Sequence, residues 1–405
     1  MRKLPRSPLF WGLVIFLLAL GLRLAYISLL VGWDYVPQRD AAEYSAIAEN
    51  LAAGHGYRLA SGALTAIRPP LFPLLLAGVY VVFGVHYGAA LVMQSVLGSL
   101  SCVITYRVGA EAFGEWPGRL AGVMAAGYPM LIYHDSQLLS ETPFILWTIL
   151  AVWAMLRLTR RVRLRDVGLL GGALGLAALT RPNGLLLWAG VVAWALWYWR
   201  RRAWPIIAGA TLVVIVLLTP WVVRNWIAMG AFIPASTMGG AVLLGSYNEI
   251  VLRDPTYRGD WISPCRVSGA RCGEPMSEVA RDRLWRRMGL AFIRSHVRDL
   301  PEMAFWRFVN LWHLYRFTRG FPENIGFYCY VIVASLAAVG IWLYRSRWRS
   351  MTPLYVVVIC FTANALVFWG GFRMRAPIEP VLVVLAAGTL WRIGQARFFV
   401  RTDGG

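Results

Sequence analysis

Charged residues are scarce in this chain, and their scarcity excludes an ordinary soluble protein. Only 15% of the 405 residues are Asp, Glu, Lys or Arg, whereas soluble domains carry about 25%. Hydrophobic residues make up 58%, the mean hydropathy is +0.56, and apolar runs recur along nearly the whole length. Backbone polar groups in lipid must be satisfied within their own segment. We therefore predict an all-α fold, a polytopic membrane helical bundle.

The chain also lacks the short motifs that bind nucleotides or metal ions. It has no Walker loop, no GxGxxG after a strand, no HExxH and no CxxC. Asp-x-Asp, the usual clamp of transferases that use nucleotide sugars, is absent too. His134 is isolated, and His55 shares a loop with Asp40, so metal ligation by His55 is an alternative to an ordinary hydrogen-bonded loop histidine. We expect no cofactor.

Acidic residues are outnumbered two to one. Lys and Arg total 40 against 20 Asp and Glu, giving a net charge of +20 and a pI near 10.4. In a soluble protein this charge would suggest nucleic acid. Here the basic residues lie mostly in short loops, where they set topology and contact anionic headgroups. We expect membrane lipids, and no nucleic acid, as partners.

Cysteines are few and fall into two groups. Cys102, Cys329 and Cys360 lie in apolar segments, where packing is their expected role. Cys265 and Cys272 lie in a long polar loop and form a possible disulfide if that loop is extracytoplasmic. A metal pair is the weaker alternative, because neither a histidine nor a third cysteine lies nearby.

Ten apolar segments are predicted to cross the membrane. They are 9–31, 87–109, 117–134, 138–157, 166–181, 184–199, 204–223, 324–344, 352–371 and 376–392. The first is interpreted as an uncleaved span, because no small-residue cleavage site follows it and Arg23 interrupts it.

The basic clusters 157–165, 200–202 and 345–349 should be cytoplasmic, which places both chain termini inside. With this topology, segment 69–84 begins and ends on the outer face. We therefore predict that 69–84 is a juxtamembrane helix rather than a span.

With this topology, most of the loop residues that could form a site lie on the outer face of the membrane. We predict one membrane-embedded domain, 1–392, with outer loops 32–86 and 224–323, followed by a short cytoplasmic tail, 393–405. Two stretches of the long loop, SEVARDRLWRRMGLAFIRSHVRDL and PEMAFWRFVNLWHLYRF, have the pattern of amphipathic helices.

Acidic candidates on the outer face are few: Asp40, Glu43, Asp135, Glu141 and Glu249. Asp40 begins a helical pattern and carries two interpretations. It is a candidate catalytic carboxylate, or it is a helix N-cap with Glu43 completing a capping box.

Several arginines are predicted to reach the same outer surface: Arg68, Arg181, Arg224, Arg373 and Arg375. Guanidinium groups gathered there would suit a phosphate at headgroup depth, because their planar fork binds its oxygens bidentately. The alternative is snorkelling and lipid contact.

The motifs together suggest a family. RDAAEYxxxAxxLxxGxGY, RPPLFPLLLA, SETPF, TRPNG, PWVVRNWIAMGAFIPASTMGGAVLLGSYN and RMRAPIEPVL occur in this order. From about residue 10 to 392 the chain resembles the C-type-fold membrane glycosyltransferases, in the bacterial branch related to protein O-mannosyltransferases and aminoarabinose transferases. The resemblance implies a polyprenyl-phosphate sugar donor, transfer on the outer face of a bacterial cytoplasmic membrane, and an acceptor that is a protein, lipid or glycan.

The resemblance also implies roles for individual residues. Asp40 matches the family's base, and Tyr44, Arg68 and Arg181 match residues at the donor phosphate. Glu141 matches a second acid. Arg224 is a further expected phosphate ligand, and Glu43, Arg373 and Arg375 are possible accessory residues.

One departure from the family bears on metal binding. Some relatives use an acid in metal binding at the position that Ile67 holds here, so we expect no bound metal. The competing function is a transporter or lipid flippase without covalent chemistry, although such proteins often show internal repeats.

Overall fold

The structure is a computed structural model that describes residues 7–314 and 321–402. Its described residues are mostly helical and form no β-strand. The α-helices are α1 (Pro8–Tyr26), α2 (Asp40–Ala52), α3 (Leu71–Phe83), α4 (Tyr87–Phe113), α5 (Glu115–Gly127), α6 (Pro129–Asp135), α7 (Glu141–Arg160), α8 (Leu164–Thr180), α9 (Asn183–Trp199), α10 (Trp204–Met229), α11 (Gly239–Ser246), α12 (Glu249–Arg253), α13 (Glu278–Ser295), α14 (Leu300–Leu311), α15 (Phe321–Leu343), α16 (Trp348–Val367), α17 (Phe372–Arg375) and α18 (Glu379–Thr402).

The helices confirm a polytopic membrane bundle. Six described segments are long and apolar enough to cross a membrane: Pro8–Val31, Tyr87–Phe113, Glu141–Arg160, Asn183–Met229, Ile325–Leu343 and Arg345–Val367. The fourth contains two helices, α9 and α10. The three other predicted spans are also helical, as α5 with α6, α8 and α18. The total of ten crossings stays a prediction, as does the single-domain organisation.

Two predicted spans differ in detail from the structure. Segment 117–134 is broken at Tyr128, whose extended backbone precedes Pro129, because proline disfavours the α conformation in the residue before it. The last helix does not end at 392 but continues to Thr402, through much of the predicted tail. The predictions for 1–6, 315–320 and 403–405 lie outside the described residues.

The core of the bundle is built around α4. This helix packs against α1, α5 and α7. Around it, α8 packs against both α7 and α10, and α18 packs against α5 and α15. Small residues bring α4 and α5 together: a Cβ on Gly118 would lie 2.5 Å from the backbone nitrogen of Ala110. Close backbone approach through small residues is a common way to associate helices in membranes.

The predicted outer loops contain helices of their own. Segment 69–84 forms α3, which packs on α2, and the two amphipathic stretches form α13 and α14. α13 packs on α11, and α14 packs on α16. Cys265 and Cys272 are joined by a disulfide in the loop between α12 and α13, and Cys102, Cys329 and Cys360 are free thiols.

Arg23, which interrupts the first apolar run, has a partner inside the bundle. Its Nε lies 2.5 Å from Oδ2 of Asp135, and both side chains are almost fully buried. The other carboxylate oxygen of Asp135 accepts a hydrogen bond from Thr142, at 2.7 Å. The ion pair and the Thr142 bond therefore connect α1, α6 and the start of α7. Asp135, one of the candidate acids, is engaged in these contacts inside the bundle.

Arg23→Leu should destabilise the protein strongly, because it leaves Asp135 buried without its counter-charge. We expect a loss of about 3–5 kcal/mol, and substantial recovery in the double variant Arg23→Leu/Asp135→Leu. Arg253→Leu is a suitable control, because its pair with Glu249 is exposed and such helical pairs are worth about 0.3–0.5 kcal/mol. Thermal unfolding in detergent measures the three variants. Equal losses in Arg23→Leu and Arg253→Leu would contradict the prediction.

Candidate active site

Asp40 opens α2, and its carboxylate contacts arginines instead of capping the helix. Arg39 occupies the N-cap position, and no described side chain caps the helix. Asp40 Oδ1 lies 2.8 Å from Arg68 Nη2, and Oδ2 lies 3.1 Å from Arg373 Nη1. The N-cap interpretation of Asp40, with Glu43 in a capping box, is therefore wrong.

The backbone just before Asp40 is unusual. Arg39 has φ 52° and ψ −121°, a conformation that residues with a side chain rarely adopt. Such conformations cost on the order of 1–3 kcal/mol and cluster at functional sites. Such conformations persist only where the surrounding structure holds them. Here the next residue is Asp40, which is held by its ion pairs with Arg68 and Arg373.

Arg68 joins the two carboxylates of α2. Its Nη2 donates to Asp40 and also to Oε2 of Glu43, at 2.8 Å in each case. The guanidinium lies over the Tyr44 ring, with Cζ 4.9 Å from the ring centroid. On its other side, the Arg68 carbonyl accepts a hydrogen bond from the Tyr57 hydroxyl at 2.8 Å. Both the backbone and the side chain of Arg68 are thus fixed by neighbours.

Glu141, the first residue of α7, contacts two further arginines. Its Oε1 lies 2.7 Å from Nη1 of Arg181 and 2.7 Å from Nε of Arg373. Arg181 is the C-cap of α8, and Arg373 belongs to α17. The Glu141 side chain is only 1% exposed. A carboxylate buried to this degree must be paired, because an isolated buried charge is very costly.

The two halves of the site share Arg373 and form one arginine–carboxylate cluster. Its members alternate in charge in the order Glu43, Arg68, Asp40, Arg373, Glu141 and Arg181. Ser140 adds a second link, since its hydroxyl oxygen accepts from the Tyr44 hydroxyl at 3.0 Å and from Arg181 at 3.4 Å. Residues far apart in sequence therefore meet at one place.

Electrostatic interactions within the cluster keep Asp40, Arg68 and Arg373 ionised. Burial alone would raise the pKa of Asp40, but Arg68 and Arg373 outweigh it and hold that pKa below its usual range. Burial likewise opposes the charge of Arg68 and Arg373, while the neighbouring carboxylates prevail and raise both guanidinium pKa values. At neutral pH, positive and negative groups thus neutralise each other.

Hydrogen-bonding capacity remains unused within the cluster. In the described part of the chain, Glu43 Oε1, Arg68 Nε and Glu141 Oε2 are buried and have no hydrogen-bond partner. A small cavity adjoins the Glu141 half of the cluster. It is lined by Glu141, Phe144, Arg181, Asn183, Arg373, Met374, Ala376 and Pro377. An anion in this cavity would lie against two guanidinium groups.

Arg224 and Arg375 lie outside the cluster. The Arg224 guanidinium donates to the backbone carbonyls of Thr65 and Tyr57 and packs on the Tyr57 ring, so it braces the first outer loop. Arg375 pairs with Glu379 at 2.5 Å and lies over the Tyr330 ring.

Two other candidates are likewise not brought to the cluster. Glu249 pairs with Arg253, and the His55 carbonyl accepts from Arg58. His134, in contrast, lies near enough to Glu141 and Arg373 to interact with them electrostatically. Its ring is buried against Phe372, and its Nε2 has no hydrogen-bond partner among the described residues.

Sequence reasoning missed Ser140 and Tyr57. Ser140 belongs to the SETPF motif, so its place beside Glu141 was a usable signal. Tyr57 ends the first motif, but nothing in the sequence indicated that its hydroxyl would hold the Arg68 carbonyl. Within the described residues, no group of three or more His, Cys, Asp or Glu side chains is placed to hold a metal ion.

Part of the chain matches a known protein family. Residues 67–223 match the family model described as dolichyl-phosphate-mannose-protein mannosyltransferase. This match covers α3 to most of α10, including Arg68, Glu141 and Arg181. Over residues 67–223 the chain therefore resembles a family of membrane glycosyltransferases. The resemblance inferred from the motifs is thereby confirmed.

Solved structures share this fold. The Archaeoglobus fulgidus oligosaccharyltransferase AglB, in complex with an inhibitory peptide and a dolichol-phosphate, matches with TM-score 0.59 and 12% identity over 97% of this chain and 51% of that one. The same organism's oligosaccharyltransferase in the apo form matches with TM-score 0.61, 12% identity and coverages of 98% and 52%. This chain thus spans about half the length of these proteins.

A weaker structural match involves ArnT from Cupriavidus metallidurans bound to undecaprenyl phosphate. Its TM-score is 0.46, with 15% identity over 94% of this chain and 76% of that one. A TM-score this low does not establish a shared arrangement of helices. No curated protein matches the chain by sequence.

Removing Arg68 should narrow the acid-sensitive range of stability by raising its lower limit. Because the folded-state pKa of Asp40 is depressed, its ion pairs stabilise the fold above the unfolded pKa and are lost as the pH falls through the folded pKa. Arg68→Gln weakens the depression, so the loss should be smaller and should be complete at a higher pH than in wild type. Thermal midpoints in detergent between pH 7 and 3 measure this shift. In an Asp40→Asn background the shift should largely disappear, and its full persistence would assign the effect to another group.

Proposed function

We propose that the chain is an inverting glycosyltransferase that uses a polyprenyl-phosphate sugar and works on the extracytoplasmic face. The observation that carries this proposal is the arginine–carboxylate cluster, in which Asp40 lies between Arg68 and Arg373. The family model and the shared fold support the class of enzyme. A related fold has been solved with a dolichol-phosphate bound, which supports a lipid-linked donor.

Arg68, Arg181 and Arg373 are the proposed ligands of the donor phosphate. Guanidinium groups suit phosphate oxygens, and charge-assisted hydrogen bonds of this kind are short and strong. Arg181 and Arg373 line the cavity, while Tyr44 contacts both the Arg68 guanidinium and Ser140. As the leaving group departs, these donors stabilise the charge that develops on its phosphate oxygen.

Asp40 is the proposed general base. The acceptor oxygen forms a bond to C1 of the sugar as the bond from C1 to the phosphate oxygen breaks, and the electron pair stays on the phosphate. The acceptor proton passes to a carboxylate oxygen of Asp40. Attack opposite the leaving group inverts the configuration at C1.

Donor binding would activate this base. Without donor, Arg68 and Arg373 depress the pKa of Asp40, which makes the carboxylate a weak proton acceptor. A phosphate that draws these guanidinium groups toward itself weakens their hold on Asp40, so the pKa rises toward its usual range. The base thus gains strength when the donor is in place.

Glu141 acts on the arginines in this proposal. It is buried and bonded to both Arg181 and Arg373, so it fixes two guanidinium groups at the edge of the cavity. Its proposed contribution is to position those two donors. The acceptor class stays open between protein, lipid and glycan.

Asp40→Asn should abolish most of the transfer of sugar from polyprenyl-phosphate donors. General-base catalysis contributes about 10²–10⁴-fold, so we expect a loss of kcat in this range while the donor still binds. Asp34→Asn is the matched control, because Asp34 is an exposed acid in the same outer segment. Turnover by purified protein in nanodiscs, with a panel of undecaprenyl-phosphate sugars, measures both. Full activity in Asp40→Asn would remove Asp40 as base, and wild type that moves a lipid across the bilayer without transferring sugar would favour the transporter.

A reporter inserted at 85–87, where the connection from α3 meets the start of α4, should be accessible from outside the cell. This outcome follows if α3 is a juxtamembrane helix and the cluster faces the extracytoplasmic side of a bacterial cytoplasmic membrane. A cysteine at this site, labelled by a membrane-impermeant reagent on intact spheroplasts, measures access. Position 162, in a cytoplasmic basic cluster, should be labelled only after lysis. The reverse pattern would invert the proposed topology.

A further inference from the structure

Glu278, in the first turn of α13, contacts the first outer loop more than two hundred residues away in sequence. Its Oε2 accepts a hydrogen bond from the Thr65 hydroxyl at 2.7 Å, and its Oε1 accepts from the Ala66 backbone N–H at 2.9 Å. The Thr237 hydroxyl also donates to Oε1. Thr237 and Ala66 are bonded directly as well, since the Thr237 N–H donates to the Ala66 carbonyl at 3.0 Å.

This use of Glu278 is unexpected for an acid on an arginine-rich helix. Arginines 281, 283, 286 and 287 follow it on α13, and yet within the described residues Glu278 forms no ion pair. Its charge is met instead by hydrogen-bond donors of the first outer loop and by the Thr237 hydroxyl, with Arg224 near enough to interact electrostatically. Charge-assisted hydrogen bonds of this kind are about twice as strong as neutral ones. The carboxylate therefore anchors the loop to the helix.

The anchored segment leads straight to Arg68. The Thr65 hydroxyl that donates to Glu278 also accepts from the Ile67 N–H, at 3.0 Å. Arg224 holds the Thr65 carbonyl, and Tyr57 holds the Arg68 carbonyl. Residues 65–68 thus form a short segment whose backbone is bonded at each end.

We propose that Glu278 is a positioning residue that fixes segment 65–68 and thereby holds the Arg68 guanidinium where the donor phosphate binds. This inference rests on the proposed function, because it takes Arg68 as a phosphate ligand. It also assigns a role to the long outer loop, which would then complete the donor site through α13. Small displacements of a charged ligand matter, since catalytic groups must be held within about 0.5 Å of their productive geometry.

The test compares Glu278→Ala, Glu278→Gln and Glu274→Ala in nanodiscs. Glu274 is the control, because it belongs to the same loop but forms an exposed pair with Arg271. We expect Glu278→Ala to weaken undecaprenyl-phosphate binding and to raise the KM for the donor about tenfold, with kcat and the acceptor KM within about threefold of wild type. Glu278→Gln should lose less than Glu278→Ala, because its amide oxygen can keep the Ala66 and Thr237 bonds. Glu274→Ala should match wild type.

A purely stabilising role would lower the thermal midpoint without this selective effect on the donor. If Glu278→Ala proves too unstable to assay, Thr65→Val removes the hydroxyl that bridges Glu278 and Ile67 and should raise the donor KM about threefold. Hydrogen exchange of a peptide covering 64–70 reports the anchor independently and should increase in both variants.

The outcomes separate this inference from the proposed function. If wild type binds undecaprenyl phosphate and Glu278→Ala binds it within twofold of wild type, the positioning role is wrong and the transferase proposal stands. If wild type neither binds undecaprenyl phosphate nor transfers sugar, the proposed function is wrong and the positioning role is wrong with it. Faster exchange at 64–70 with unchanged donor affinity also rejects the inference.

Discussion

The neutralisation of buried and half-buried charge determines how the arginine–carboxylate cluster is built. Glu141 is almost fully buried, and Asp40 and Glu43 lie beside it in a mainly apolar molecule, so each carboxylate needs a guanidinium partner. In the resulting alternation of acids and arginines, the guanidinium groups of Arg68, Arg181 and Arg373 are each paired with a carboxylate. An anionic ligand must compete with carboxylates for arginines that are already engaged. In the proposed reaction, affinity for the phosphate and basicity of Asp40 would therefore depend on the same electrostatic balance.

Much of the bundle could be predicted from the sequence, because apolar length and the position of basic clusters are local properties. The helix at 71–83 and the amphipathic helices α13 and α14 followed from such patterns. Helix ends were less predictable where no strong breaker occurs, as in α18, which runs past residue 392. The break between α5 and α6 depends on a single proline whose effect a hydrophobicity pattern does not register.

The site was predictable only in part, for a geometric reason. Asp40, Arg68, Glu141 and Arg181 were recognised by their motifs, but which guanidinium meets which carboxylate depends on the rotation of each helix. Arg373 and Arg375 are two residues apart and face different partners, Glu141 and Glu379. Arg181 caps the end of α8, whereas Arg224 lies within α10 and contacts backbone carbonyls. Long-range contacts such as those of Glu278 leave no local pattern in the sequence.

The chain order of the cluster has a consequence for biogenesis. Asp40, Arg68, Glu141 and Arg181 are made in the first half of the polypeptide, whereas Arg373 belongs to α17, after almost every other helix. A nascent chain that has not reached α17 holds Asp40 and Glu141 with one guanidinium fewer each. The last ion pairs therefore close only when the C-terminal helices insert and pack, so completion of the site coincides with completion of the bundle. A chain truncated before α17 would therefore leave Asp40 and Glu141 with only part of their charge compensation.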